Sequence, residues 1–369
     1  MPEPGTCRLA ALRVTLDGSV LGWGPGGIAR YLRNLLHWMV QDPELQFEVL
    51  ANSRTPVAGV PGVTEIDRRL KGGPLWRAAV LSPHLLSHRP DVFWVPGLNP
   101  PLVLPHPYAI TVHDLAPAFL SSVKPRLETL AFRTIYRRAV TGATHVLADS
   151  ETTASDLQRH WSIPAERITV VPLGVSERFS PDESGAARRR VIDRWALTRP
   201  YVLLAGTIEV RKGLDLAVEI AKAIRPELVV VFCGRFGYGH QSIVSEGETA
   251  GACFLGVVSD QELVDLYRSA EVLLVPSVYE GFGLTALEAM ACGTPAIVAG
   301  SAGSLESLYS GGAIVVGERK VTAWTRAIEE VTGDRSRWSD AGLALAADYT
   351  WQRSAARTAE VLKAAAQHG

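Results

Sequence analysis

Short apolar segments alternate with amphipathic segments along most of this chain, and the alternation breaks once, between Gly174 and Pro200. Apolar residues recur at helical spacing over Ile28–Val40, whereas Phe47–Ala51 and Ala109–Val112 are short and mainly apolar. Strands that alternate with helices predict a parallel sheet covered by helices on both faces. Since the alternation restarts after the break, we expect two such units in series.

The predicted elements fall into these two series. Before the break, strands are predicted at Leu9–Leu16, Phe47–Ala51, Asp91–Val95, Ala109–Val112, His145–Ala148 and Thr169–Val171, and helices at Ile28–Val40, Leu127–Val140 and Thr152–His160. After it, strands are predicted at Tyr201–Ala205, Leu228–Cys233, Cys253–Leu255, Val272–Val275, Pro295–Ala299 and Ala313–Val316, and helices at Gly213–Ala223, Asp260–Ser269, Leu284–Ala291, Thr322–Val331 and Tyr349–Gln367. The 369 residues exceed one ordinary domain. We therefore predict α/β domains over residues 1–178 and 179–347, a helical segment over 348–369, and a ligand in the cleft between the domains.

Composition excludes several classes of protein. Lys and Arg total 37 against 38 for Asp and Glu, a balance that gives no support for non-specific nucleic-acid binding. The cysteines at 7, 233, 253 and 292 form no close pair, which favours free thiols in a reducing compartment. No apolar run is long enough for a secretory signal or a membrane span. We expect a cytoplasmic protein that meets a membrane, if at all, from its inner face.

The segment from Glu280 to Glu288 combines glycines, acids and the start of a predicted helix. Gly281 and Gly283 allow close approach of a ligand to the backbone, and the free N–H groups at the start of the helix at Leu284 favour an anion such as a diphosphate. The carboxylates of Glu280 and Glu288 suit the vicinal hydroxyls of a hexose or a ribose. The alternative is that Glu280 caps the helix and Glu288 is solvated.

A second strand–loop–helix junction carries adjacent cations, Arg211 and Lys212, shortly after Gly206. Arginine binds phosphate oxygens with a fork of donors, and lysine adds a point charge. The alternative is a pair of solvated loop charges. His113 and Asp114 follow a further strand at its carboxyl end, where α/β sheets bind ligands. His113 can hydrogen-bond a sugar hydroxyl or a leaving phosphate, or be purely structural beside a turn capped by Asp114.

The glycine loop Gly22–Gly27 matches the pattern GxGxxG between a strand and a helix, which is typical of dinucleotide-binding folds. The next strand ends in Ala51-Asn52-Ser53, without the acidic residue expected to bind a ribose, so the loop alone does not assign NAD. The chain contains no DxD, HExxH, GxxxxGK[ST] or GxSxG element. We therefore expect no metal, with cations and helix termini neutralising any diphosphate.

Taken together and in order, these segments resemble those of glycosyltransferase family 4, and most of all its bacterial mannosyltransferase-like branch. The similarity runs from Gly22 to about Trp351. It rests on these stretches: residues 26–31, 111–117, 148–151, 170–175, 254–260, 270–272 and 280–288. The resemblance implies the GT-B architecture, in which two Rossmann-like doubly wound domains face each other across a cleft. It also implies that the C-terminal helix crosses back to pack on the first domain.

The resemblance implies a retaining transferase that moves a hexose, best assigned as mannose from GDP-mannose, to a glycan or lipid-linked acceptor in polysaccharide or glycoconjugate biosynthesis. It implies no cofactor and no metal. One alternative keeps the fold but uses a UDP- or TDP-sugar. A second is a non-catalytic homologue that binds sugar nucleotides, and a third, from another class, is a NAD-dependent oxidoreductase built on Gly22–Gly27.

The resemblance also implies residue roles. Glu280 contacts the hexose hydroxyls, Glu288 the ribose, and Arg211 and Lys212 the diphosphate, while His113 lies near the donor sugar. Further donor contacts are expected from Gly26, Gly27, Gly206, Gly234, Val257, Gly281, Phe282, Gly283 and Leu284. One departure is Thr207, where many relatives carry Arg, and another is Val210 in place of Pro. Phosphate neutralisation then depends on the two adjacent cations.

A basic stretch accompanies the predicted helix Leu127–Val140. It contains Arg126, Arg133, Arg137 and Arg138 beside apolar residues. A basic amphipathic helix can rest on anionic lipid, and the alternative is a packed helix with solvated arginines. Peripheral membrane contact is therefore a weaker prediction.

Overall fold

A computed structural model describes residues 11–23, 26–50, 63–65, 77–97, 100–120, 129–130, 132–182, 184–224, 226–237, 240–300 and 303–367. Its first half contains a seven-stranded parallel sheet in the order β3-β2-β1-β4-β5-β6-β7. The strands are β1 Leu12–Asp17, β2 Leu45–Leu50, β3 Val63–Glu65, β4 Val92–Val95, β5 Tyr108–Val112, β6 His145–Ala148 and β7 Ile168–Val170.

The second half contains a six-stranded parallel sheet in the order β10-β9-β8-β11-β12-β13. The strands are β8 Tyr201–Ala205, β9 Val229–Cys233, β10 Cys253–Phe254, β11 Val272–Val275, β12 Ala296–Ala299 and β13 Ile314–Val316. Every residue of β4, β5, β11 and β12 is buried. Complete burial of apolar strands is what helices on both faces of a parallel sheet produce, so two doubly wound α/β units are confirmed.

The helices connect these strands. They are α1 Gly27–Met39, α2 Ser82–Ser87, α3 Ala116–Phe119, α4 Arg137–Gly142, α5 Glu151–Trp161, α6 Ala186–Trp195, α7 Leu214–Ala223, α8 Gln241–Thr249, α9 Asp260–Ser269, α10 Leu284–Ala291, α11 Leu305–Tyr309, α12 Val321–Gly333, α13 Arg335–Ala346 and α14 Trp351–Gln367. The predicted helix Asp260–Ser269 is confirmed to the residue, because Ser259 and Glu262 form a reciprocal capping box at its start.

Several elements escaped the sequence prediction. The strand β3 and the helices α2, α3, α8, α11 and α13 were not predicted, because they are short or carry weak apolar periodicity. Helix α8 also contains Gly247, where an added Cβ would lie 2.8 Å from the ring of Phe254. The missing side chain at that position lets the aromatic ring pack against the helix backbone.

The predicted single α-helix Leu127–Val140 is wrong in its middle. Within the described residues, Phe132–Tyr136 forms a π turn that leads into α4. The rings of Phe132 and Tyr136 lie 4.7 Å apart, and both pack on Trp161 at 6.0 Å. This aromatic packing accompanies a wider turn than the α-helical pattern predicts.

The arginines of this stretch are only partly described. Arg133, Arg137 and Arg138 are exposed, as are Leu130 and Ile135, while Arg126 lies outside the described residues. Membrane contact through this surface stays a prediction. In the described part of the chain, no helix combines the length and apolarity needed to cross a bilayer.

The chain passes between the two sheets twice, and the two passages lie side by side. Val175 forms a parallel bridge with Thr350, and its N–H donates to the carbonyl of Tyr349 at 3.0 Å. An added Cβ at Gly174 would lie 2.1 Å from the nitrogen of Trp351, so only glycine allows this contact. After the second passage, α14 packs on α1 and on the strands β4, β5 and β6 of the first sheet.

Candidate functional site

A cavity of about 590 Å³ lies between the two halves, at the carboxyl ends of both sheets. The residues that line it include every predicted site residue: Gly26, Gly27, His113, Gly206, Arg211, Lys212, Gly234, Val257, Glu280, Gly281, Phe282, Gly283, Leu284 and Glu288. Each sheet reverses its strand order next to the cavity, at β1/β4 in the first and β8/β11 in the second. Such switch points are where α/β sheets bind ligands.

Glu280 follows β11 and is held by groups of its own half. Lys212 Nζ and Ser277 Oγ each donate to its Oε1 at 2.6 Å, and Arg211 lies 3.7 Å from its Oε2. Burial opposes the charged form, but Lys212 and Arg211 outweigh it, so the pKa of Glu280 lies below its ordinary value. The site therefore contains a fixed carboxylate with lone pairs still available to hydroxyl donors.

Arg211 and Lys212 form part of a 3-10 turn at Val210–Lys212. Arg211 pairs with Glu209 at 2.9 Å and donates to the carbonyl of Tyr279 at 2.9 Å. The alternative of solvated loop charges is wrong, because their side chains are only 13% and 22% exposed. Since both cations already face carboxylates, an incoming diphosphate would compete with Glu209 and Glu280 for them.

The glycine loop before α10 lies against the other half of the molecule. An added Cβ at Gly281 would lie 1.8 Å from the carbonyl oxygen of His113, and Ser150 Oγ donates to the Gly281 carbonyl at 2.6 Å. Gly283, at φ +81°, occupies the N-cap position, and no side chain caps the helix. The alternative that Glu280 caps this helix is therefore wrong. Residues 281–285 line the cavity, so an anion bound there could satisfy amides that no side chain caps.

His113 lines the cavity with both ring nitrogens engaged. Nδ1 lies 2.7 Å from Asp149 Oδ2, and Nε2 lies 3.0 Å from the carbonyl oxygen of Pro96. Because the carbonyl of Pro96 only accepts, Nε2 must carry a proton, and Nδ1 is engaged by the carboxyl group of Asp149. Burial lowers the pKa of His113, but Asp149 more than compensates, and the net shift is upward. Both ring nitrogens are thus occupied, and the ring offers no free acceptor to a ligand in the cavity.

Glu288 is 1% exposed, so the alternative of a solvated carboxylate is wrong. Arg30 of α1 donates to its Oε1 in a very short contact, and Tyr267 Oη donates to its Oε2 at 3.1 Å. Burial raises the pKa of Glu288, and the nearby Arg30 and Tyr267 offset only part of that effect. The counter-charge of this carboxylate thus comes from the first domain, on the other side of the cleft.

Sequence reasoning missed several groups in the cavity. Besides Arg30, they include Tyr31, Asp114, Asp260, Tyr267 and Thr285. Arg30 and Tyr31 belong to the glycine-loop segment, and the first turn of a helix after such a loop faces the ligand site. That position is a signal which could have identified Arg30. Tyr267 lies on a helix interior and carries no comparable signal.

Comparisons with known proteins agree with this arrangement. A sequence model described as "Glycosyltransferase Family 4" matches residues 25–179, and one described as "Glycosyl transferases group 1" matches residues 188–343. D-inositol 3-phosphate glycosyltransferase of Salinispora arenicola is 30% identical over 250 residues, which are 61% of this chain and 55% of that protein. The chain therefore spans about half the length of this group of curated relatives. O-antigen chain mannosyltransferase B of Escherichia coli is 28% identical over 281 residues, covering 72% of this chain and 73% of the relative.

Solved structures share the fold. Sucrose-phosphate synthase from Thermosynechococcus elongatus superimposes with a TM-score of 0.79 at 18% identity, covering 97% of this chain and 100% of that structure. Anabaena HepE in complex with UDP-glucose superimposes with a TM-score of 0.73 at 17% identity, covering 95% and 99%. These neighbours establish two Rossmann-like domains facing across a cleft, the GT-B architecture.

Proposed function

The chain belongs to glycosyltransferase family 4, and from that premise we propose that it transfers a hexose from a sugar nucleotide to a glycan or lipid-linked acceptor. One observation carries the proposal. Lys212, Arg211 and the uncapped start of α10 converge on one side of an interdomain cavity, with Glu280 beside them. A diphosphate next to a polyhydroxylated group is the ligand that such a set of cations, amides and a carboxylate would bind.

The cavity suggests one orientation for the donor. The diphosphate lies at Arg211, Lys212 and the amides of residues 281–284. The ribose lies toward Glu288 and the base toward Gly234 and Val257. The hexose lies toward Glu280 and His113, where the first domain closes the cavity. In this orientation only Glu280 touches the sugar that is transferred.

We propose transfer with retention of configuration. The bond between the anomeric carbon and the diphosphate oxygen breaks, and the acceptor oxygen bonds to the same face of that carbon. The departing phosphate oxygen takes the acceptor proton. Lys212 and Arg211 stabilise the negative charge that develops on the diphosphate, as pre-positioned cations do in a dehydrated cavity. Glu280 orients the hexose through its hydroxyls, and the scheme uses no metal.

For the donor we propose GDP-mannose, and a relative named O-antigen chain mannosyltransferase B supports this choice. A UDP-sugar is the second candidate, because a fold neighbour was solved with UDP-glucose. TDP-sugars are a further class of candidate donor. A thermal-shift screen of GDP-mannose, UDP-glucose and TDP-glucose separates them, since a ligand that binds only the folded protein raises its melting temperature.

The screen should give its largest stabilisation with GDP-mannose. Stabilisation by none of the sugar nucleotides would contradict the donor site, and a larger shift with UDP-glucose would reassign the base. Product analysis by NMR then reports the anomeric configuration, and an inverted product would contradict retention. Hydride transfer to or from a nicotinamide, followed by absorbance, would instead favour an oxidoreductase built on Gly22–Gly27.

A further inference from the structure

Arg30 is a charged group of the first domain that lines the cavity and contacts residues of the second domain. It lies in the first turn of α1, directly after the glycine loop. Its guanidinium donates to Glu288 on α10 and, at 3.0 Å, to Asp260 Oδ1 at the start of α9. It also lies 5.7 Å from the ring centre of Phe179. One side chain thus joins the two domains across the cleft.

Its two carboxylate partners differ in their surroundings. The side chain of Glu288 is 2% exposed, and Arg30 and Tyr267 each hold one of its oxygens. The side chain of Asp260 is 43% exposed, and Arg178 holds its second oxygen at 2.7 Å. Asp260 is therefore kept in place without Arg30, whereas Glu288 loses its buried counter-charge when Arg30 leaves.

Glu288 is also the group that the proposed function assigns to the donor ribose. A ribose diol must approach the carboxylate from the cavity, which Arg30 and Glu288 both line, and Arg30 already donates to Oε1 of Glu288. The arginine and the ribose are therefore competitors for one acceptor. The pair between Arg30 and Asp260 faces no such competition, because Asp260 lies at the edge of the cavity and is partly exposed.

We propose that Arg30 is a positioning residue that couples donor binding to domain closure, because it gives up Glu288 to the donor ribose while it keeps Asp260. Without donor, Arg30 neutralises Glu288 and holds the domains together. With donor, the ribose hydroxyls replace Arg30 on Glu288, and Arg30 keeps the domains closed through Asp260 alone. This proposal rests on the proposed function, because it requires a nucleotide whose ribose binds Glu288.

The test measures nucleotide affinity and turnover separately in the 369-residue chain. Titration calorimetry with GDP and UDP gives affinities, and donor consumption gives kcat. In Arg30→Ala the competitor is gone, so nucleoside diphosphate should bind about 5- to 10-fold more tightly, the range of an ordinary coupling between two binding events. The kcat should fall because closure is weakened. Arg30→Lys should restore part of the kcat.

Two further measurements test whether Arg30 and the ribose share Glu288 as their partner. Asp260→Asn should lower kcat with little change in nucleotide affinity. The same titration with a 2′,3′-dideoxy nucleoside diphosphate should remove the gain in Arg30→Ala, because that nucleotide offers no ribose hydroxyl to Glu288. Arg33→Ala is the matched control, since Arg33 is exposed on the same helix and donates to the carbonyl of Leu21.

The outcomes are distinct. Weaker nucleotide binding in Arg30→Ala would mean that Arg30 contacts the nucleotide directly, and unchanged binding would mean that it does not compete. An equal gain with the dideoxy nucleotide would show that Glu288 is not the shared partner. Each of these overturns the proposed competition for Glu288. Failure of the unmodified protein to bind any nucleoside diphosphate would instead contradict the proposed function.

Discussion

Glu280 and Glu288 are eight positions apart in the sequence and line the same cavity, yet they are neutralised in opposite ways. Glu280 receives Lys212 and Arg211 from its own domain, whereas Glu288 receives Arg30 from the other domain. The pKa of Glu280 is lowered despite burial, and that of Glu288 is raised because burial outweighs its single arginine. Two chemically identical side chains thus differ in pKa because the number and the origin of their counter-charges differ. The counter-charges of Glu280 belong to its own domain, whereas the counter-charge of Glu288 is present only where the two domains pack together.

Among the proposed variants, Glu280→Ala should lose the most catalytic activity. If only Glu280 touches the transferred hexose, kcat/KM should fall by about 10³-fold, the loss typical of removing a positioned polar group from a transition state. Donor consumption measures it. Glu306→Ala is the control, because Glu306 is exposed in the same domain. Near-normal turnover in Glu280→Ala would end the assigned difference between the two glutamates.

The next effect concerns the loop that joins them. In Gly281→Ala the new Cβ would lie 1.8 Å from the His113 carbonyl oxygen, so the domains must separate or the loop must shift. A displacement of about 1 Å at a reacting centre can cost about 10²-fold in rate. Gly333→Ala, with open space around its Cβ, is the control. Unchanged kcat in Gly281→Ala would show that the contact with His113 does not position the donor.

Glu288→Gln should lower affinity more than turnover. A charged acceptor becomes a neutral one, so binding of nucleoside diphosphate should weaken by about 10-fold, and kcat at saturating donor should change less. Titration calorimetry and saturation kinetics report the two quantities. A loss confined to kcat would indicate that Glu288 contacts the hexose and not the ribose.

The smallest effect is the pH dependence of stability. Since the pKa of Glu280 is lowered in the folded protein, its stabilisation is present above its ordinary value of 4.5 and is lost as pH falls through the lowered pKa. The pKa of Glu288 is raised, so the stabilisation from its protonated form is lost as pH rises from 4.5 through the raised pKa.

Urea denaturation from about pH 2.5 to about pH 6.5, roughly two units either side of the ordinary value, separates these contributions. Glu280→Gln should lessen the loss of stability on acidification, and Glu288→Gln should lessen the decline on raising the pH. Each change should be on the order of 1 kcal/mol. If stability depended on pH in the same way in the two variants, the surroundings of Glu280 and Glu288 would not shift their pKa values in opposite directions.

Strand and helix periodicities are local properties of the chain, so the two α/β units could be predicted from the sequence alone. The sequence also indicated Glu280–Glu288 and Arg211–Lys212 as candidate ligand residues, because each motif lies at one strand–helix junction, and both motifs line one cavity. Elements with weak periodicity, such as α8 and α13, could not be predicted in this way. The π turn at Phe132–Tyr136 depends on packing against Trp161, which is distant in sequence.

The charges and pairings of the site groups depend on contacts between segments that are far apart in the sequence. Arg30 and Glu288 are 258 positions apart, and nothing in either segment specifies that they meet. His113 has no free ring nitrogen because Asp149 and Pro96 face its two nitrogens from other loops. Electrostatic effects depend on distance and burial, and both are properties of the assembled domains. The chain specifies which groups surround the cavity, and the packing of one domain on the other specifies which of them are free to act.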